Sequence, residues 1–370
     1  MPFKIVFDAY HLYHLPQFDP VIEILSHDDR FEIFASTSTN NNLEEKVLTE
    51  KILSDKNIQV IKGDNENERA NKIKHLQPDV FICGWSRYPI GQFVTDKTLV
   101  GMIYHGIGVK PSYWKDNHKR LNVRFVEGPL RQKQLRNAGI ETELELTGFT
   151  KLDPLFQNKD FNRENILVEL NLDPRKKTIL YGPTFYPSSM QKIWPELINK
   201  FHEFNIIVKP HMWVYFLDSF GGISLKREKK TLEKFENVDH IAVLGPEMYN
   251  IVPFLAASDL LITEASSTIY EMMALDKPVL LCKFFTLKWN HSLFSNRLYQ
   301  RRLNKEMSET MTDFCFNINK PKDVFKVVST VLNDTDPFAV IREKYKKEML
   351  FQQDGKASER VIESILRRIA

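Results

Sequence analysis

Two neighbouring serines carry the clearest chemical signal in the chain. Ser266 and Ser267 follow the short apolar run Leu260–Thr263 and precede a segment whose apolar residues repeat at helical spacing. This order predicts a buried strand, a tight turn and a helix that opens on Ser266, Ser267 and Thr268. Hydroxyls and the unpaired first amides of a helix can bind an anion such as a phosphate. The same pattern also fits an ordinary helix cap, in which Ser266 only satisfies its own helix.

A histidine after another apolar run could act as a general base. His105 follows the run Leu99–Tyr104 and is itself followed by Gly106 and Gly108. An imidazole can accept a proton near neutral pH, and small neighbours would let a bulky substrate approach it. The alternative is a histidine whose ring is satisfied by backbone groups at a turn.

Two further loops offer groups that could hold negative charge. Lys209 and His211 flank Pro210 after a third apolar run, and Thr184 lies just after a fourth. Cations and hydroxyls in such places could stabilise the charge that develops on a phosphate. Each loop alone is a weak signal, because the same residues also occur in ordinary turns.

The hydrophobic pattern predicts elements that would position these residues. Strand-like runs alternate with helical stretches, which is typical of parallel α/β sheets covered on both faces. The predicted strands are Lys4–Phe7, Phe31–Phe34, Ile58–Ile61, Val80–Cys83, Leu99–Tyr104, Asn122–Val126, Leu144–Leu146, Thr178–Tyr181, Asn205–Lys209, His240–Val243, Leu260–Thr263 and Val279–Leu281. Ligands of such sheets bind beyond the carboxyl ends of the strands, so chemistry is expected in the loops that follow them.

The length of 370 residues favours two domains. We predict an N-terminal Rossmann-like domain over residues 1–155 and a C-terminal Rossmann-like domain over residues 156–345. The two parallel-sheet domains are expected to face each other across a cleft. Residues 346–370 are expected to form a helix that packs back on the N-terminal domain.

Composition excludes several classes of protein. A hydrophobic content of 42% with 27% charged residues fits a globular chain, and a net charge of +3 is too small for a nucleic-acid binder. Cys83, Cys282 and Cys315 show neither disulfide nor zinc-ligand spacing. The start of the chain lacks the apolar core of a signal peptide, and we expect a cytoplasmic protein.

In their order along the chain, these loops resemble the CDP-glycerol glycerophosphotransferase family, which includes teichoic acid primases and polymerases. The matching stretches within about residues 100–285 are YHGIGVK, GFTKLDPLF, ILYGPTF, VKPH and SDLLITEASSTIYEMMALDKPVLL. The resemblance implies a two-domain GT-B fold, with residues 1–155 as the acceptor-side domain and residues 156–345 as the nucleotide-donor-binding domain. It also implies transfer of a polyol phosphate, glycerol phosphate first of all, from a CDP-activated donor to a hydroxyl of a cell-surface glycan or lipid-linked acceptor. CMP would be released during synthesis of a teichoic-acid-like or capsule polymer.

The resemblance assigns roles to individual residues. His105 corresponds to the base that acts on the acceptor, and His211 corresponds to the histidine near the donor phosphates, so both are predicted to be catalytic. The predicted donor-binding residues are Thr184, Lys209, Glu264, Ser266, Ser267, Thr268 and Glu271. The predicted acceptor-binding residues are Gly106, Lys110 and Lys151.

Three positions leave the roles open. Glu264-Ala265 stands where the family usually has aspartate and tyrosine, and Lys151 replaces a usual arginine with a point charge. Glu271 could bind the nucleotide ribose or could be a solvated acid on the helix. Donor specificity is therefore the least constrained property.

The remaining expectations concern cofactors, partners and alternatives. No metal site is predicted and no cofactor is expected to be required, with assistance by magnesium left open. The partners are the nucleotide-activated donor and the glycan or lipid-linked acceptor, without nucleic acid; the oligomeric state is not indicated. The basic run Lys226–Lys230 and the amphipathic stretch Glu359–Ile369 leave peripheral contact with the inner face of the cell membrane open, beside purely structural roles.

Three other functions fit the same fold. They are a GT-B glycosyltransferase with a nucleotide-sugar donor, an enzyme like the nucleotide-sugar 2-epimerases, and a non-enzymatic protein that binds a phosphorylated glycan.

Overall fold

The chain forms two compact units. The computed structural model describes residues 1–108, 113, 117–157, 161–293, 305–333 and 336–369. The first unit comprises Met1–Gly106, Ser112–Lys159 and Lys347–Ala370, and the second comprises Ile107–Pro111 and Asp160–Lys346. The first unit thus takes in the C-terminal end of the chain.

The first unit is built on a seven-stranded sheet in which every pair of neighbours is parallel. Its strands are β1 (Phe3–Asp8), β2 (Phe31–Ser36), β3 (Gln59–Val60), β4 (Val80–Cys83), β5 (Leu99–Ile103), β6 (Val123–Val126) and β7 (Glu143–Leu146). The order across the sheet is β3-β2-β1-β4-β5-β6-β7. The direction of the order reverses between β1 and β4, where the loops after the two strands leave room for a ligand.

Helices cover this sheet and begin where the sequence supplies caps. Their bounds are Leu15–Leu25, Leu43–Asp55, Glu66–Leu76, Pro129–Asn137, Asp153–Phe156 and Ala357–Ile369, with single 3₁₀ turns at Leu12–His14, Ile90–Gln92 and Thr150–Leu152. The side chains of Asn42 and Asn65 accept hydrogen bonds from the backbone amides of Glu44 and Glu68, which stabilises two helix starts.

The second unit contains a six-stranded parallel sheet. Its strands are β8 (Thr178–Gly182), β9 (Asn205–Val208), β12 (Ile241–Val243), β13 (Leu260–Thr263), β14 (Val279–Cys282) and β15 (Phe316–Ile318), and a separate hairpin joins β10 (Ser219–Phe220) to β11 (Ile223–Ser224). The order is β12-β9-β8-β13-β14-β15, with its reversal between β8 and β13. The prediction of two parallel, Rossmann-like α/β sheets is confirmed.

Helices of the second unit follow the same alternation. They span Arg163–Glu169, Met190–Lys200, Trp213–Phe216, Lys226–Glu233, Val252–Ala257, Thr268–Ala274, Trp289–Leu293, Lys305–Thr310, Val324–Asn333 and Ala339–Met349, with 3₁₀ turns at Met311–Asp313 and Pro321–Asp323. Among the described residues, no helix is long and apolar enough to cross a bilayer.

At the carboxyl edge of the first sheet, a buried arginine of helix Glu66–Leu76 joins the last residues of β1 and β2 to the start of that helix. The Arg69 guanidinium donates to Asp8 Oδ1 at 2.6 Å, to Ser36 Oγ at 3.1 Å and to Glu66 Oε2 at 2.7 Å. Asp8 also accepts a short hydrogen bond from the Tyr88 hydroxyl. Both Arg69 and Asp8 are fully buried. Charges taken out of water are costly unless they are paired and hydrogen-bonded, and here each partner has several contacts.

The C-terminal helix is attached through an acid from the middle of the chain. Asp153 accepts hydrogen bonds from the backbone amides of Ala357 at 3.0 Å and Ser358 at 2.6 Å, at the start of helix Ala357–Ile369. The carboxylate thus satisfies helix amides that lack intrahelical partners. Val361, Ile362 and Ile365 form the buried face of this helix, which packs on helix Leu15–Leu25.

Substituting Arg69 should strongly destabilise the first unit. Arg69→Met keeps much of the side-chain volume but leaves the Asp8 carboxylate buried without its cation, which should cost about 3–5 kcal/mol of unfolding free energy. Urea denaturation would measure the loss. Arg30→Met is the matched control, because Arg30 pairs with Asp28 on an exposed surface and its removal should have little effect. Equal stabilities of the two variants would contradict the importance assigned to the buried pair.

Candidate active site

In the first unit, His105 lies just beyond the end of β5 with both ring nitrogens in contact. Its Nδ1 lies 3.0 Å from the carbonyl oxygen of Gly84, and its Nε2 lies 2.9 Å from the hydroxyl of Tyr113. A carbonyl can only accept, so Nδ1 carries the proton and Nε2 has the lone pair. The half-buried ring therefore presents Nε2 as its basic atom.

A second histidine lies beside the first. His14 is fully buried, and its ring centroid lies 5.0 Å from that of His105. Neither of its ring nitrogens has a hydrogen-bond partner among the described residues. Burial first, and then the neighbouring His105 and His11, lower the pKa of His14 well below its ordinary value. His14 is therefore neutral near pH 7 and adds no charge beside His105.

Gly84 allows these two histidines to lie close to the backbone. A Cβ atom added at Gly84 would lie 2.7 Å from Cγ and Nδ1 of His14, closer than atoms can pack. The same residue supplies the carbonyl that orients His105. Gly84 directly follows β4, next to the reversal of strand order.

Aromatic side chains surround His105. Tyr13 lies 5.2 Å from it between ring centroids, and Trp85 lies 5.7 Å from His14. Sequence reasoning did not select His14, Gly84, Trp85 or Tyr113. The rule that chemistry follows strand ends would have found the first three, since they come after β1 and β4.

The predicted acceptor-binding residues are placed differently from one another. Gly106 is buried next to His105 in the chain. Lys110 lies outside the described residues. Lys151 lies in the 3₁₀ turn Thr150–Leu152, which follows β7. In the sheet, β6 lies between β7 and β5. Lys151 is only 8% exposed. The structure thus brings Gly106 to His105 and leaves Lys151 buried further along the sheet edge.

In the second unit, Glu264 joins the loops after β8 and β13. Its buried carboxylate accepts from the backbone amides of Thr184 at 2.6 Å and Ser189 at 2.8 Å, and from the Ser189 hydroxyl. Burial raises the pKa of Glu264, while these hydrogen bonds oppose the rise. Glu264 therefore positions the loop of Thr184, and its predicted contact with the donor stays a prediction.

The loop after β9 lies against the loop after β8. The His211 amide donates to the Pro183 carbonyl at 3.2 Å. The His211 ring accepts from the Trp213 amide at Nδ1, 3.2 Å away, so Nε2 carries the proton of the neutral ring. Lys209 is buried, with Nζ 3.5 Å from Sδ of Met212. Thr184 and His211 are half-buried.

The two serines lie at the start of a short helix. Helix Thr268–Ala274 has seven residues, and Ser267 is its N-cap residue without a side-chain capping bond. Ser266 Oγ instead accepts from the Thr268 amide at 3.3 Å and from the Thr268 hydroxyl at 3.0 Å. The capping alternative thus applies to Ser266, whereas the Ser267 hydroxyl is not used to cap its helix. Ser266, Ser267 and Thr268 are all half-buried.

Glu271 requires a correction. The interpretation of Glu271 as a solvated acid on the helix is wrong, because its side chain is fully buried. The sequence obscured this because a glutamate in the first turn of a helix is favourable beside the helix dipole whether or not water reaches it.

Among residues 1–108, 113, 117–157, 161–293, 305–333 and 336–369, no group of three or more His, Cys, Asp and Glu side chains could hold a metal ion.

Comparison with protein families gives one match. The model of a family described as CDP-glycerol:poly(glycerophosphate) glycerophosphotransferase matches residues 133–367. This stretch contains Thr184, His211 and the two serines, whereas His105 precedes it.

The similarity to an individual curated protein covers less of the chain than the family match does. The chain is 29% identical over 168 residues to a teichoic acid glycerol-phosphate primase of Bacillus subtilis (strain 168), over 44% of this chain and 36% of the primase. The chain therefore spans only about a third of the length of that relative.

Solved structures show a shared fold. The wall teichoic acid polymerase TagF is similar with a TM-score of 0.69 at 15% identity, covering 99% of this chain and 88% of the polymerase chain. A variant of TagF soaked with CDPG gives a TM-score of 0.70 at 14% identity, covering 100% of this chain and 89% of the variant. The UDP-GlcNAc 2-epimerase of Methanocaldococcus jannaschii gives a TM-score of 0.58 at 13% identity, covering 99% of this chain and 100% of the epimerase. These likenesses agree with a GT-B-like fold.

The packing of His14 on Gly84 can be tested by filling the space between them. Gly84→Ala should destabilise the chain by about 1–3 kcal/mol, because the new methyl group meets a buried ring that has little room to move. Gly91→Ala is the matched control, since a Cβ atom there has no neighbour within 4 Å. Urea denaturation of both variants checks the difference, and a Gly84→Ala variant as stable as Gly91→Ala would show that the ring shifts freely.

Proposed function

Since the chain belongs to the CDP-glycerol:poly(glycerophosphate) glycerophosphotransferase family, we propose that it transfers glycerol phosphate from CDP-glycerol to a hydroxyl of a glycan or lipid-linked acceptor. CMP is the second product. The reaction would serve the synthesis of a teichoic-acid-like polymer. The observation that carries the proposal, beside the family match, is the tautomer of His105.

The acceptor half of the reaction needs a base. The hydrogen bond from Nδ1 of His105 to the Gly84 carbonyl leaves the lone pair on Nε2, as a general base requires, and the acceptor hydroxyl would take the place of the Tyr113 hydroxyl that lies 2.9 Å from this atom. The neighbouring His14 is buried and neutral, so it carries no charge that would repel a proton on His105. Gly106, directly after His105, adds no side chain that would block an acceptor.

The donor half needs groups that hold a diphosphate. Loops after three adjacent strands, β9, β8 and β13, carry Lys209, His211, Thr184 and Ser267 at one edge of the second sheet. The Nε2–H of His211 and the Ser267 hydroxyl can both donate to phosphate oxygens. We assign the donor diphosphate to this edge, where the strand order reverses.

The proposed step balances as follows. His105 Nε2 takes the proton of the acceptor hydroxyl, and the oxygen attacks the phosphorus that carries the glycerol. The bond from that phosphorus to the bridging oxygen breaks, and CMP leaves with the electron pair. Phosphoryl transfer of this kind depends mainly on positioning and on neutralising charge, which His211 and Ser267 would supply on the donor side. That no cofactor is required, with assistance by magnesium left open, stays a prediction.

A panel of donors tests the reaction class. The purified chain would be incubated with CDP-glycerol, CDP-ribitol or UDP-GlcNAc, with and without a membrane-derived acceptor fraction, while nucleotide release is followed by chromatography. We expect CMP from CDP-glycerol only when the acceptor is present. Release of UDP would indicate a glycosyltransferase, conversion of UDP-GlcNAc without acceptor would indicate an epimerase, and binding without turnover would indicate a glycan-binding protein.

Removing the proposed base should abolish transfer and spare donor binding. His105→Ala is expected to lower the rate of acceptor-dependent CMP release by roughly 10²–10⁴-fold, the usual contribution of a general base. Affinity for CDP-glycerol, measured by calorimetry, should not change. His75→Ala is the control, because His75 is exposed and bonds only within its own helix. Full turnover in His105→Ala would refute the assignment.

The donor site is tested best at Ser267, since Ser266 also caps its helix. Ser267→Ala should weaken binding of CDP-glycerol roughly tenfold, because a hydrogen bond to a charged phosphate is lost. Ser258→Ala is the matched control: Ser258 is buried at the opposite, amino end of β13, and its hydroxyl has no hydrogen-bond partner among the described residues. Equal affinities of the two variants in calorimetry would argue against an anion site at Ser267.

A further inference from the structure

We propose that Tyr113 is the positioning residue of His105, whose phenol hydroxyl donates to Nε2, selects the Nδ1-protonated tautomer and tunes the basicity of the ring. This inference rests on the proposed function for the role of His105 as a base, but the contact itself can be tested without any substrate.

The geometry leaves one arrangement of protons. With Nδ1–H donated to the Gly84 carbonyl at 3.0 Å, Nε2 can only accept, so the Tyr113 hydroxyl 2.9 Å away must be the donor. The imidazole is thus held at both nitrogens, by a carbonyl from the end of β4 and by a phenol. A single contact would fix the ring less well, because the other nitrogen could exchange protons with water.

The Tyr113 ring is itself held in place by a neighbouring cation. Tyr113 is 7% exposed, and the guanidinium carbon of Arg131 lies 5.3 Å from its ring centroid and 5.5 Å from that of Tyr104. Arg131 is fixed in turn by Glu127, with Nε 2.9 Å from Oε1 one helical turn away. Cations over aromatic faces are attractive, so this buried pair holds the Tyr113 ring against the His105 site.

The protonation state of the phenol agrees with a donor role. Burial, the largest effect, raises the pKa of Tyr113 above its ordinary value, even though the Arg131 cation opposes it. The hydroxyl therefore keeps its proton throughout the range in which a histidine titrates.

Three other described groups lie near His105 or line its cavity. Tyr13 and His14 face it from the segment after β1, with ring centroids 5.2 Å and 5.0 Å away. Arg87, after β4, lines the same small cavity as His105. These groups act on the ring in the wild type and in a hydroxyl-deletion variant alike, so they do not obscure the contribution of the phenol.

The sign of the effect follows from the donor direction. A phenol can donate to Nε2 only while the imidazole is neutral, so the bond stabilises the neutral form and lowers the pH at which the ring takes up a proton. Loss of a bond of ordinary strength should raise this titration midpoint by roughly half to one pH unit. The acidic limb of the pH–rate profile should move to higher pH by the same amount.

The test compares Tyr113→Phe with Tyr104→Phe in the full chain. Both variants keep the aromatic ring, but the Tyr104 hydroxyl accepts a hydrogen bond from Arg124 at 2.9 Å, whereas the Tyr113 hydroxyl lies 2.9 Å from Nε2 of His105. Histidine-selective ¹⁵N labelling and long-range ¹H–¹⁵N spectra would follow the His105 ring, with His105→Asn for assignment. We expect the higher midpoint in Tyr113→Phe and the wild-type midpoint in Tyr104→Phe.

Two results would overturn the proposal. One is an unchanged midpoint in Tyr113→Phe. The other needs no variant and decides the case even if Tyr113→Phe fails to fold: a wild-type His105 protonated on Nε2 at pH 7.5. Because these spectra need neither donor nor acceptor, failure of the proposed function would appear separately, as absent CMP release.

Discussion

Because every strand of the two main sheets pairs in parallel, the carboxyl ends of neighbouring strands meet at one edge of each sheet. The site geometry depends on this constraint. Residues as far apart in the chain as His14, Gly84 and His105 become neighbours because they follow β1, β4 and β5. In the second unit, the same constraint gathers the loops after β9, β8 and β13. A chain with antiparallel pairing would send alternate loops to opposite edges.

Polar loops that gather at one edge of a sheet must be held in place, and buried charged side chains do this in both units. Arg69 is shared by Asp8, Ser36 and Glu66, so the ends of β1 and β2 and the start of helix Glu66–Leu76 are held by one fully buried cation. In the second sheet, the buried Glu264 carboxylate has the same role, because it accepts hydrogen bonds from the backbone amides of Thr184 and Ser189. A fully satisfied polar network specifies one loop arrangement more strictly than apolar packing could. Rigid loops are what a site needs if its groups are to be held ready for a substrate.

The sequence predicts this fold well where a strand is a buried apolar run and poorly where it is not. The twelve strands that were predicted, such as Leu260–Thr263, are all present within a residue or two. β15 was missed because Phe316–Ile318 has three residues with an asparagine in the middle, too short for a pattern. Predicted site residues such as His105, Thr184 and Ser267 follow strand ends, whereas Glu271 lies within helix Thr268–Ala274 and Lys110 lies outside the described residues. The contacts that these side chains make could not be read from the sequence. Nothing in the sequence indicates that the Glu264 carboxylate accepts hydrogen bonds from the amides of Thr184 and Ser189, because an acid that only faces a ligand could stand at the same position. The sequence also did not indicate the contact of Tyr113 with His105, because the directions in which the two side chains point cannot be read from it.

The capping of helix Ala357–Ile369 by Asp153 has a consequence for how the protein is made. During synthesis the seven strands of the first unit leave the ribosome before helix Ala357–Ile369, because the second unit lies between them in the chain. Until that helix has been made, the face of Leu15–Leu25 on which it packs stays uncovered, and Asp153 has no helix to cap. The second unit, which is contiguous over Asp160–Lys346 apart from one short segment, can complete its sheet first. The first unit therefore cannot be completed before the second unit has been translated, because its covering helix follows the second unit in the chain.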